Sequence, residues 1–143
     1  MREIQKNDRV GFVAGAFDLF HAGHAVMLQE CKEVCDYLLV GIETDPSIDR
    51  PWKNKPVQSL VERQIQVKSC KYVDEIIVYQ NEEELKEILS TLDIDVRIMG
   101  DEPRDHPVTG MNICEKRGIE IYRNKRDHNF GSGRLKQRIK DQK

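Results

Sequence analysis

The stretch Gly15-Ala16-Phe17-Asp18-Leu19-Phe20-His21-Ala22-Gly23-His24 follows the apolar run Arg9–Ala14 and carries two of the four histidines in the 143-residue chain. The run before it is β-prone and stops at Gly15, and the residues after it repeat with helical spacing at Val26, Met27, Cys31 and Val34. The ten residues therefore join a strand to a helix. A helix start offers unpaired N–H groups and the positive end of the helix dipole, a natural place for phosphate. Gly15 lets the backbone approach a ligand closely, and Gly23 permits tight packing in the first turn. His21 and His24, three residues apart, project in the same direction. Two imidazoles beside a phosphate donate hydrogen bonds to oxygens whose charge grows in a transition state. Two readings compete with this one. Two histidines can bind zinc, but no third ligand is evident, or they simply cap the helix.

Outward from this turn the chain alternates strands and helices. Tyr37–Ile42 is a continuous apolar run of strand length, as in a buried parallel sheet. A loop with Pro46, Pro51 and Pro56 follows. Ser59 and Glu62 then form a capping box for a helix through Lys71. Glu75–Tyr79 reads as a third strand. Asn81 and Glu84 cap a helix whose Leu85, Ile88, Leu89 and Leu92 share a face. Val96–Met99 is a fourth strand, and a helix over Thr109–Arg117 stops at Gly118. Ile119–Tyr122 is a fifth strand, and Ser132 is expected to cap a last helix through Lys140. This order predicts an α/β, Rossmann-like, three-layer α/β/α sandwich around a five-stranded parallel sheet, in a single domain over 1–143. Ligands of such sheets bind beyond the carboxyl ends of the strands, where strand order switches. The segments 15–24, 43–55, 100–104 and 124–133 all lie at those ends.

Composition narrows the function classes. Hydrophobic residues make up 38% and charged residues 34%, as in a soluble globular protein. The net charge of −2 gives no general reason for nucleic-acid binding. No apolar stretch is long enough to insert in a membrane, and a polar, charged opening argues for a cytoplasmic protein. The last twenty residues are basic, either as an anion-binding end or as a solvated helix. Cys31, Cys35, Cys70 and Cys114 form no C-x-x-C pair and read as reduced core residues.

The stretch 15–24 resembles throughout the G-x-F-D-x-x-H-x-G-H signature of the nucleotidylyltransferase superfamily, in particular its cytidylyltransferases. "CDYLLVGIETD", "KYVDEIIV" and "DIDVRIMGDE" are similar to further segments of that family. The last resembles the M-G-D-D turn of its glycerol-3-phosphate cytidylyltransferase branch. The resemblance implies transfer of CMP from CTP to a small phosphomonoester with release of pyrophosphate, and no covalent enzyme intermediate. His21 and His24 would contact the triphosphate, and the backbone of Gly15, Ala16 and Phe17 would cradle it. Asp18 would shape the turn. Lys53 and Lys55 would neutralise the phosphates of both reactants. Lys55 and Arg63 would hold the acceptor phosphate, while Gly100 and Asp101 would meet the nucleobase. Magnesium would arrive with the triphosphate, held by phosphates and water and by no dedicated protein metal site. A homodimer is the expectation carried from relatives.

The family's usual R-T-x-G-I-S-T-[TS] is altered here to Arg126-Asp127-His128-Asn129-Phe130-Gly131-Ser132-Gly133-Arg134. Arg126 and Ser132 retain the arginine and one hydroxyl for the nucleotide, and the glycines suit an anion nest. The change places the acceptor in question. Two alternatives stand beside the main reading. One is an ATP-using relative of the FAD-forming or heptose-phosphate type, whose loop is similar to "KPVQSLVER". The other is a nucleotide-binding relative without catalysis.

Overall fold

A computed structural model describes residues 2–100, 107–125 and 128–142. Among the described residues five parallel strands form one sheet: β1 (Val10–Gly15), β2 (Tyr37–Glu43), β3 (Glu75–Tyr79), β4 (Val96–Met99) and β5 (Glu120–Arg123). Their spatial order is β3-β2-β1-β4-β5. The helices between them are α1 (Ala22–Glu33), α2 (Leu60–Ser69), α3 (Glu82–Thr91) and α4 (Met111–Arg117), with α5 (Ser132–Asp141) last. The chain runs outward from β1 to β3, returns to the other side of β1 for β4, and so places the switch in strand order between β1 and β4.

Alternation along each strand divides the core into two layers, one on each side of the sheet. Val13, Leu38, Val40, Ile42, Val96 and Ile98 pack against Leu28 and Cys31 of α1 and Val67 of α2. Phe12, Leu39 and Tyr79 pack against Leu85, Ile88 and Leu89 of α3 and Cys114 of α4. β2 is buried along its whole length, which explains its unbroken apolar reading. The expected sandwich is the observed one.

Helix ends follow local chemistry. The Ser59 hydroxyl accepts from Glu62 N–H, and Glu62 Oε1 accepts from Ser59 N–H, completing the expected box. Asn81 Oδ1 accepts from Glu84 N–H, whereas the Glu84 carboxylate accepts from Gln80 N–H. Gly118 ends α4 at φ 70°, a left-handed conformation that suits glycine. Three boundaries differ from expectation. α2 stops at Ser69, because Cys70 is already extended. α4 begins after Gly110 (φ 81°), leaving Thr109 outside the helix. Gly131, not Ser132, is the N-cap of α5, and no side chain caps that end. Ser132 is the first helical residue and gives its hydroxyl no capping role.

Cys31, Cys35 and Cys114 are buried and Cys70 half-buried, all as free thiols. Burial pushes the Cys35 thiol up to about 11 and Cys31 higher still. No helix among the described residues is long and apolar enough to cross a membrane.

Candidate active site

The turn after β1 is strained and held from outside. Phe17 and Leu19 adopt positive φ, 53° and 50°, in a region most side chains avoid. Asp18 fixes the strain through long-range bonds: its carboxylate accepts from Val57 N–H (2.8 Å) and Gln58 N–H (2.9 Å). Gln58 Oε1 in turn accepts from Leu19 N–H at 2.7 Å. The motif is thereby clipped to the loop after β2, and Asp18 shapes the turn.

The chain then enters α1 with a cap built from both histidines. Gly23 N–H donates to His21 Nδ1 (2.9 Å), and His21 N–H donates to His24 Nδ1 (3.1 Å). Each ring receives a proton at Nδ1, so in the neutral ring the remaining proton sits on Nε2. Burial, with the His128 imidazole adding to it, lowers the His21 pKa. Burial and then His21 lower His24 to about 4, against a smaller opposing pull from Asp18. At neutral pH both rings are neutral Nε2–H donors. Capping and ligand binding are thus compatible: Nδ1 serves the helix and Nε2 remains for a ligand. The rings lie 4.0 Å apart, with His24 stacked on Phe20 at 5.3 Å. A Cβ on Gly23 would meet the His21 ring at 2.7 and 2.9 Å, so the glycine makes room for the first histidine. The first turn of α1 carries no acidic residue to oppose an anion.

These groups open into a cleft of about 500 Å³ at the carboxyl ends of the strands, within the size range of small-ligand sites. Gly15, Ala16, Phe17, His21, His24, Lys53, Gly100 and Ser132 all line it. Asp101 and Arg126 lie outside the described residues. Lys55 is exposed and is not among the lining residues, although its neighbours Asn54 and Pro56 are.

Arg63 corrects an expectation. It does not line the cleft. It is 2% exposed, and its guanidinium donates to four backbone carbonyls: Gln58 (3.2 Å), Ala16 (3.0 Å), Glu43 (2.7 Å) and Thr44 (2.6 Å). The five-donor fork ties α2 to the ends of β1 and β2. Its place is beneath the site, as the brace of two ligand-facing loops, and not against an acceptor phosphate.

The structure adds residues that motif reading missed. Glu43, at the end of β2, is fully buried and accepts from Arg50 Nη2 at 2.6 Å. Burial raises its pKa to about 7 against the pull of Arg50, with Glu82 adding to the rise. Arg50 also faces Glu82 Oε1 at 3.4 Å. Glu82 Oε1 accepts from the Thr109 hydroxyl at 2.8 Å, and the Thr109 carbonyl accepts from Arg97 at 2.6 Å. Arg50, Glu82, Arg97 and Thr109 line the cleft, as do Asn124, His128, Phe130 and Lys136. The one available signal was a glutamate ending a run as apolar as Tyr37–Ile42. Carboxylate oxygens of Glu43, Asp49 and Glu82 come within 4.8 Å of one another. The Arg50 guanidinium already supplies the positive charge in that group.

A family model described as Cytidylyltransferase-like matches residues 12–128. The chain is 39% identical over 93 residues to an ethanolamine-phosphate cytidylyltransferase of Arabidopsis thaliana, covering 64% of this chain and 22% of that one. It is 34% identical over 118 residues to the bifunctional protein HldE of Paramagnetospirillum magneticum, covering 82% of this chain and 24% of that one. It thus spans about a quarter of the length of these curated relatives. Among solved structures, a lipopolysaccharide core biosynthesis protein from Thermoplasma volcanium shares the fold with a TM-score of 0.67 at 24% identity, over 82% of this chain and 96% of that one. The strained G-x-F-D turn, the histidine-capped helix and the family match from β1 through His128 agree: this chain belongs to the cytidylyltransferase-like family of the nucleotidylyltransferase superfamily.

Proposed function

We propose that the protein transfers CMP from CTP to a small phosphomonoester and releases pyrophosphate. The observation that carries this is the reciprocal histidine cap, which presents two neutral Nε2–H donors beside a helix N-terminus in the cleft. An oxygen of the acceptor phosphate attacks the α-phosphorus of CTP. A new P–O bond forms as the bond to the pyrophosphate oxygen breaks, and the electron pair leaves with pyrophosphate. Little covalent work falls to the protein, so catalysis is positioning and charge stabilisation. His21 and His24 donate to phosphate oxygens as negative charge builds, while the N–H groups of the Ala16–Phe17 turn and the start of α1 cradle them. Lys53 and the more exposed Lys55 are the cations for the triphosphate and acceptor. Gly100, Asp101, Arg126 and Ser132 are assigned to the nucleotide.

Magnesium is part of the proposal as a companion of the triphosphate, whose charge it would neutralise. Both Asp18 carboxylate oxygens are engaged by backbone N–H groups, which fits a metal held by phosphates and water. The exposed apolar residues Val57, Val61 and Ile65 support a homodimer, measurable by light scattering. Glycerol 3-phosphate is the acceptor favoured by the M-G-D turn, and the cytidylyltransferase relative adds ethanolamine phosphate to the panel. The test is pyrophosphate release with magnesium and CTP or ATP against these phosphomonoesters. Release with CTP is expected; release with ATP alone would reassign the nucleobase, and no release with either would overturn the proposal.

A further inference from the structure

Lys53 stands in the loop 44–56, which runs as a series of turns between β2 and α2. A lysine is a point charge on a flexible stem, so its effect on a transition state depends on where the backbone holds it. The loop is fixed at both ends. Arg63 donates to the Glu43 and Thr44 carbonyls at its start, and Asp18 accepts from Val57 and Gln58 N–H at its finish. Arg50 fixes its middle. Arg50 Nη2 donates to Glu43 Oε1 at 2.6 Å, and Arg50 Nε stands 3.4 Å from Glu82 Oε1. The Asp49 carboxylate accepts from Glu82 N–H at 2.9 Å, so two successive loop residues hold the start of α3. Glu82 Oε1 is itself held by the Thr109 hydroxyl.

Arg50 is joined to Lys53 through a single turn. Arg50 N–H donates to the Pro46 carbonyl at 3.1 Å, and the Arg50 carbonyl accepts from Lys53 N–H at 2.9 Å. The second bond closes a β-turn over Arg50-Pro51-Trp52-Lys53, with proline at the position whose φ it presets. Seating the guanidinium therefore sets the backbone of Lys53, which lines the cleft. Stability alone does not account for the arrangement, because desolvation of a buried ion pair offsets its attraction. That cost is visible at Glu43, whose pKa burial raises to about 7 despite Arg50. We infer that Arg50, seated between Glu43 and Glu82, is the positioning residue that holds Lys53 against the phosphates of the bound nucleotide. The inference rests on the assignment of Lys53 to the triphosphate made above. It gives Glu43 and Glu82 their place in the site, as the seat of Arg50 and not as ligand contacts.

A double-mutant cycle tests the link, since residues acting through one another give non-additive effects. Wild type, Arg50→Gln, Lys53→Ala and the double variant are compared in kcat/KM for CTP, by pyrophosphate release, and in the Kd of CTP with magnesium, by calorimetry. The loss caused by Arg50→Gln should be at least fivefold larger in the wild-type background than in Lys53→Ala, where the lysine is already gone. A smaller ratio overturns the inference, because Arg50 then acts on stability or on the phosphates apart from Lys53, and the transfer reaction stands. If Lys53→Ala shows no measurable turnover, the Kd cycle decides by the same fivefold criterion. Circular dichroism checks each fold. If Arg50→Gln does not fold, Glu43→Gln/Arg50→Gln takes its place, since it also removes the carboxylate left buried without its cation. Failure of both to fold makes Arg50 a requirement of the fold and overturns the inference. Absence of pyrophosphate release by the wild type from every acceptor, with CTP and with ATP, overturns the transfer reaction, and the Kd cycle then judges the inference by itself. A wild type that also fails to bind CTP overturns both.

Discussion

Replacing Gly23 with alanine separates the two jobs of the histidine cap. The new methyl would lie 2.7 Å from His21 Cε1 and 2.9 Å from Nδ1, where ordinary contact begins at 3.4 Å. The ring must retreat by about 0.7 Å, the shortfall in the closer contact. The Phe130 Cβ, at 3.2 Å, closes one direction of escape. Retreat lengthens the Gly23 N–H bond to Nδ1, now 2.9 Å, and loss of an N-cap costs about 0.5–2 kcal/mol. Alanine offsets part of this, since it is favoured over glycine inside a helix by roughly 0.5–1 kcal/mol. The net loss is about 1.5 kcal/mol or less, a Tm shift of about 6 °C or less for a chain of this size. Catalysis has no such offset. Displacement of a positioned donor by about 1 Å costs on the order of 100-fold, or about 2.7 kcal/mol of transition-state stabilisation. Stopped assays of pyrophosphate release alongside thermal melts should therefore show kcat down about 100-fold with Tm lowered by no more than about 6 °C. A kcat within threefold of wild type would refute the reasoning, because the position of the His21 ring would not matter. A Tm drop above about 10 °C would refute it differently, by making the glycine a requirement of folding.

Arg63→Lys removes the fork that serves four carbonyls. It should lower unfolding free energy by about 2–4 kcal/mol, given about 1–3 kcal/mol for each buried acceptor left unpaired; an unchanged urea midpoint with a raised acceptor KM would restore Arg63 to the substrate. His24, held down at about 4 from an ordinary 6.5, binds fewer protons when folded. Its stability contribution is complete above about pH 6.5 and disappears as pH falls towards 4. Glu43, held up at about 7 from an ordinary 4.5, has the opposite sign: its contribution is complete below about 4.5 and is lost as pH rises through 7. Glu43→Gln should thus steepen the rise of stability between pH 4 and 6.5, a result checked by denaturant melts across that range; an unaltered slope would contradict the assignment. Alkylation by iodoacetamide should modify Cys70 before Cys31, Cys35 or Cys114, because only Cys70 is partly exposed. Peptide mass mapping reads the order.

Local chemistry made much of the fold legible. The capping box at Ser59, the stop at Gly118 and the apolar run of β2 each act over a few residues, and each stands where spacing placed it. The turn at 15–24 was legible for the same reason, and the reciprocal cap shows why H-x-G-H needs its spacing and its glycine. Arg63 was misplaced because its partners are carbonyls from β1, β2 and the following loop, brought together only by the fold. Its burial under two strand ends is invisible in "LVERQIQ". Glu82 likewise reads as an acidic residue of a helix first turn, where acids are common. Only the return of the chain beside Arg50 and Thr109 gives it a role. The cap of α5 failed for a local reason: Gly131 takes the extended N-cap position, which puts the Ser132 hydroxyl one residue too late.

The central claim is that the Nε2–H groups of the histidine cap stabilise a transferring phosphate. The most direct test is the kcat/KM of His24→Ala against wild type for magnesium-dependent pyrophosphate release from CTP and the acceptor the wild type prefers, on protein shown folded by circular dichroism. The account predicts a fall of about 100- to 1,000-fold, the usual cost of removing one preorganised donor. A rate within threefold of wild type would contradict it.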